Sequence, residues 1–132
     1  MDIDLETELG AEEGYSAQRL TLYLPNKDKT GLDVSEHERW VQEARKIRSS
    51  IGGGSTALPP ADGTWINEQN ELLWEQTKII YCYIYPSSFR VKLQELRAFL
   101  HRFGRDTSQG EVVVEFDGQF FRIKKFDPAT GI

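Results

Sequence analysis

The sequence has one cysteine, two histidines far apart, no repeated or low-complexity tract and no apolar run of membrane-spanning length. One cysteine excludes an internal disulfide, and Cys82 falls on the presumed core face of a strand, where a thiol is structural. The histidines give no metal cage: His37 sits between Glu36 and Glu38, and three adjacent residues do not share a helix face. His101 follows Arg97 by four and suits a helix C-terminus or a solvated face. No nucleophile elbow is present, so neither a catalytic residue nor a metal or other cofactor is expected. Basic residues are the minority, 16 against 21 acids, for a net charge of -5. That balance disfavours nucleic acid and anionic membranes and leaves protein or small-molecule partners. The opening Met-Asp-Ile-Asp-Leu-Glu has neither a basic n-region nor an apolar h-region. The expectation is a soluble cytoplasmic chain.

The richest stretch is Glu75 to Tyr85, which is β-branched and aromatic and reads as a central strand. Alternation sends Ile80, Cys82 and Ile84 to one face and Thr77, Ile79, Tyr81, Tyr83 and Tyr85 to the other. Arg19 to Leu24 alternates too, with Leu20, Leu22 and Leu24 inward and Arg19, Thr21 and Tyr23 outward.

Residues 1 to 14 carry six acids and no base and predict a flexible tail, with one domain over 15 to 126 and a short tail over 127 to 132. Ser35 and Glu38 have capping-box spacing and predict a helix to about Ile51, with Trp40, Ala44, Ile47 and Ile51 inward and Glu38, Arg45 and Arg48 outward. Gly52 to Gly54 reads as a helix stop, because phosphate-binding glycines precede a helix and these follow one. Ser55 to Leu58 is a short strand before Pro59-Pro60, which belongs on a sheet edge. Thr64 to Glu75 reads as a hairpin turning over Asn67 to Glu71, with Trp65 opposite Trp74, either a structural aromatic pair or a ligand clamp. A second helix follows Pro86 with a serine N-cap and a seam of Phe89, Leu93, Leu96, Leu100 and Phe103; Gly104 marks its end. Asp117-Gly118 joins the last two strands as a hairpin.

This order is an α+β, ferredoxin-like split βαβ sandwich, with two helices on one sheet face and an added C-terminal β-hairpin. From Gly53 to about Val114 the chain also resembles a family of small bacterial proteins of unknown function. The shared elements are Gly54 with Thr56, Gly63 with Trp65, Glu75 with Thr77 and Lys78, then Arg102-Phe103-Gly104 and Gln109. Pro59-Pro60 and the terminal hairpin depart from that pattern. The resemblance implies the fold and supplies no activity.

In such a fold the uncovered sheet face gathers Arg19, Tyr23, Ile79, Tyr81, Tyr83 and Tyr85, an aromatic surface suited to an interface. Trp65, Trp74, Glu75, Arg105 and Gln109 are the candidate ligand-binding residues, Glu75 as a carboxylate beside the tyrosine row and Arg105 and Gln109 from a polar loop. The expected function is a non-catalytic interaction module, self-associating or part of a heteromeric complex. The alternatives are a small-ligand binder or cofactor-free enzyme of the dimeric α/β-barrel type, and single-stranded RNA binding on the sheet. The last lacks the aromatic RNA-recognition motif.

Overall fold

A computed structural model describes residues 3–12, 18–84 and 86–129, with the side chains of residues 86–88 outside the description; Tyr85 of the expected interface lies outside it as well. The elements are α1 (Leu5–Leu9), β1 (Arg19–Pro25), α2 (His37–Gly52), β2 (Thr56–Ala57), β3 (Ala61–Ile66), β4 (Leu72–Tyr83), α3 (Pro86–Asp106), β5 (Val112–Phe116) and β6 (Gln119–Ile123). The sheet runs β2-β4-β1-β5-β6, and β3 pairs with β4 beyond β2 on the same edge, so that all pairings are antiparallel. The fold is ferredoxin-like, with β6 added outside β5.

The leucine row of β1 organises the core. Leu20, Leu22 and Leu24 are fully buried between α2 and α3 and meet Ile80 and Cys82 of β4 and Val112 and Val114 of β5. Each such side chain contributes about 1.5–3 kcal/mol when taken from water, so alternation in three neighbouring strands fixes which face the helices cover. From α2 come Val41, Ala44, Ile47 and Ile51, and from α3 Leu96, Phe99, Leu100 and Phe103. The Trp40 ring sits edge-on to Phe103, with centroids 5.4 Å apart.

Several expectations are corrected here. No capping box forms: α2 begins at His37, and Glu36 precedes it in a left-handed conformation with no side-chain cap bond. His37 instead places Nε2 2.9 Å from the Leu24 carbonyl. Arg48, expected in solvent, is fully buried beside Cys82. The α2 apolar stripe spreads far enough around the helix to carry that position under β4. The helix ends as expected on Gly53, whose φ of 79° is left-handed.

Gly104 does not end α3, which runs to Asp106. Its missing side chain serves a neighbour, since a Cβ there would stand 2.1 Å from the Phe126 ring. The segment after β6 folds back over α3, so the chain stays attached past Phe126, where the domain was expected to end. Arg97 grips the Asp127 carboxylate at 3.0–3.1 Å, Arg105 donates to the Asp127 carbonyl, and the Asp127 N–H donates to His101 Nδ1 at 2.8 Å. His101 is therefore buried under this clasp and does not lie on a solvated face. Within the expected acidic tail, Leu5–Leu9 forms a short helix capped by Asp4, none of it buried. The serine cap expected for α3 falls on residues 86–88, whose side chains lie outside the description.

Candidate functional site

The helices leave the other face of the sheet open, and two hairpins raise walls on it. The β3–β4 hairpin outruns β1, whose pairing with β4 ends at Pro25↔Thr77, so residues 72 to 76 project as an arm. Asn26 extends the ladder by one step, its side-chain oxygen accepting from the Gln76 N–H at 2.9 Å. On the far side, β6 turns back from β5 over Asp117-Gly118, both with positive φ as a tight two-residue hairpin requires. Between arm and hairpin lies a cleft of about 810 Å³.

Its floor is Tyr23, Pro25, Thr77 and Val113; the arm contributes Trp65, Ile66, Glu68 and Glu75; β6 contributes Phe120 and Arg122, with Lys124 just past its end; Lys29 and Gln109 to Glu111 complete the lining. Glu75 is opposite Gly63 across β3–β4, and a Cβ at position 63 would lie 3.3 Å from Glu75 Cγ. The absent side chain leaves room for the carboxylate beside Trp65. Burial pushes the Glu75 carboxyl above its ordinary value, while the Thr77 hydroxyl, 3.5 Å from Oε1, and the Trp65 indole oppose that shift. The Tyr23 hydroxyl donates to Glu115 Oε1 at 3.0 Å, and burial followed by that carboxylate raises the phenol. Arg122 is tied to Glu111 at 2.9 Å.

Of the candidate ligand residues, Trp65, Glu75 and Gln109 meet in this cleft, although Gln109 is buried and its amide is spent on the Lys27 carbonyl and the Thr107 hydroxyl. Trp74 and Arg105 do not join them. The five-residue turn from Asn67 to Glu71 pairs Trp65 with Leu73 and Thr64 with Trp74, one step from the expected register. A one-residue slip sends a side chain to the opposite face, so Trp74 stands exposed behind the arm and no indole pair forms. Arg105 closes the clasp on Asp127 and contacts Asp106.

The interface candidates share the open face, but they divide. Tyr23 belongs to the cleft floor. Arg19, Tyr81 and Tyr83 form a separate aromatic end, with the Arg19 guanidinium 5.2 Å from the Tyr81 ring centre and Tyr83 set edge-on at 6.0 Å. Ile79 lies between them, paired with Tyr23. The sequence reading put Thr77 on this face without naming it a site residue, and it missed Lys29, Phe120, Arg122 and Lys124. Carrying the alternation around Asp117-Gly118 would have placed the last three on the open face. Among the described residues no cluster of three metal-ligating side chains occurs, and no helix is long and apolar enough to cross a membrane.

No family model matches the chain, and no curated protein matches it. Solved structures do. One is a phage SAM lyase in complex with S-methyl-5'-thioadenosine, with a TM-score of 0.61 and 16% identity over 86% of this chain and 94% of that one. Another is a phage SAM lyase in the apo state, with a TM-score of 0.61 and 17% identity over the same shares of the two chains. The likeness is one of fold. The expectation of a non-catalytic interaction module is corrected here: these matching structures are of a phage SAM lyase, and the open face carries a cleft where a continuous patch was expected. The small-ligand alternative fits these findings better.

Proposed function

We propose that the cleft binds a small sulfonium ligand of the S-adenosylmethionine type and that the protein is a lyase acting on it. The observation that carries this reading is Glu75, half-buried between Trp65 and Thr77 in an aromatic-lined cleft on the fold of a SAM lyase. A carboxylate in a partly desolvated site favours a cation, and the faces of Trp65, Tyr23 and Phe120 add the attraction of aromatic rings for positive charge. They also suit the flat adenine of such a ligand.

Cleaving the bond from sulfur to the amino-acid chain leaves the electron pair on sulfur and gives a neutral thioether. The carbon fragment completes its valence with its own carboxylate or by losing a proton. Glu75 facing the sulfonium holds the substrate and releases its grip when the charge is gone, the differential binding that turnover needs. The aromatic end of the open face, Arg19, Tyr81 and the half-exposed Tyr83, is proposed to be covered by a second copy, and the single buried thiol is compatible with the cytoplasm.

The test is to incubate purified protein with S-adenosylmethionine and follow S-methyl-5'-thioadenosine by chromatography and mass spectrometry. Formation above the spontaneous rate, lost in Glu75→Gln, is expected. Neither product nor saturable binding of either compound would overturn the reading.

A further inference from the structure

The charges of the two facing walls differ in sign: Glu75 and Glu68 stand on the arm side, Arg122 and Lys124 on the β6 side, with Lys29 and Glu111 on the segments that join them. Register explains the β6 side. Phe120 and Arg122 alternate along β6 and pair with Glu115 and Val113 of β5, so both point to the open face, and Lys124, one residue past the end of the strand, lines the same cleft. A chain of net charge -5 thus places two cations in succession on the wall across from its half-buried carboxylate. They are not equivalent. Arg122 is engaged by Glu111 through Nε at 2.9 Å and through its terminal nitrogen at 2.7 Å, which leaves Lys124 as the unengaged cation of this wall.

We propose that this β6 wall, with Lys124 as its charged contact and the Arg122–Glu111 pair as its support, is the subsite for the carboxylate of the ligand. The inference rests on the sulfonium reading and extends it: the substrate keeps its amino-acid end, and the added hairpin is what selects it. Strand spacing supports the span. β4 and β6 are separated by β1 and β5, about 14 Å at the usual inter-strand distance. A glutamate side chain from one wall, a lysine side chain from the other, and between them a cation and a carboxylate four bonds apart fill that width. Opposite walls of opposite charge also orient the ligand, since reversing it would set like charges together. The hydrogen bonds of Arg122 to Glu111 hold the wall upright and keep the guanidinium from competing for Glu75. Phe120, exposed on the same row, is left to cover the apolar body of the ligand.

The test compares two probes that resist cleavage, using the full chain and calorimetry. Sinefungin keeps the amino-acid end with an amine in place of the sulfonium, and S-methyl-5'-thioadenosine lacks that end. Lys124→Met should weaken sinefungin on the order of tenfold, the loss of one charge-assisted contact, and leave S-methyl-5'-thioadenosine within about twofold. Lys124→Arg should restore most of the sinefungin affinity. Lys124 is exposed, so neither variant threatens the fold. Equal effects on both probes, or none on either, would overturn the subsite while the sulfonium reading stands. Failure of the unaltered protein to bind either probe would overturn both.

Discussion

Gly63 and Glu75 are cross-strand partners at the root of the arm, and the glycine is what lets the carboxylate lie in the cleft: a Cβ at position 63 would meet Glu75 Cγ and Thr77 Oγ1, each at 3.3 Å. Gly63→Ala therefore separates stability from function. Alanine suits a strand slightly better than glycine, and the contacts it would crowd belong to side chains, so the thermal midpoint should move by less than about 2 °C. Displacing Glu75 from beside Trp65 should weaken a cationic ligand about tenfold. Equal affinity for sinefungin in Gly63→Ala and the parent would show that Glu75 does not face the ligand.

Glu75 itself should cost stability at neutral pH. Its folded pKa is raised, so the folded state binds more protons than the unfolded state in the window above the ordinary carboxylate value. Stability therefore falls as pH rises through that window, and the cost is constant above it. Glu75→Gln should raise the midpoint at pH 7 by about 2 °C, allowing for the screening of a half-exposed group, with no difference near pH 3. A midpoint difference that did not vary with pH would remove burial of the charge as its cause.

Why some of this was legible in the sequence and some was not follows from the range of the interactions. Leu20, Leu22 and Leu24, and Ile80 with Cys82, declare their faces through alternation that depends only on neighbours in the chain. Asp117-Gly118 declares its turn in the same way. Parity across a turn is less forgiving: Trp65 and Trp74 sit on an arm that was recognised, yet an odd-numbered loop puts them on opposite faces. Glu75 and Lys124 belong to hairpins remote in sequence, and only the β4-β1-β5-β6 order sets them across a cleft. Gly104 and His101 gave misleading signals because the Phe126–Asp127 segment returns over α3, a contact with no local signature.

Gly104 provides a test of that return. Gly104→Ala would drive a methyl into the Phe126 ring, 2.1 Å from Cε1, and should destabilise by about 1–3 kcal/mol, the usual cost of overpacking. In a Phe126→Ala background the clash is gone, and the same substitution should stabilise by about 0.5–1 kcal/mol through helix propensity. Denaturant unfolding of the four proteins of this cycle measures the reversal. Additive effects would mean that Phe126 does not occupy the notch.

Arg48 sits at 0% exposure beneath β4, and none of its three guanidinium nitrogens finds a hydrogen-bond partner among the described residues. Burial lowers its pKa to about 10, with only the Cys82 thiol beside it to favour the charge. A folded pKa below the unfolded one means that the charge costs stability throughout the range below pH 10, with relief as pH rises from there toward the ordinary arginine value. The aliphatic stem, by contrast, packs in the core as methionine would. Arg48→Met should therefore stabilise the protein, by about 1–4 kcal/mol, the range seen when buried ion pairs are replaced by apolar groups of similar volume. Arg48→Ala should destabilise it, because the cavity then outweighs the relief. Unfolding in urea at pH 7 gives both signs. If methionine also destabilised the fold, the guanidinium would be making contacts that its buried surroundings conceal, and its charge would be part of what holds α2 against β4.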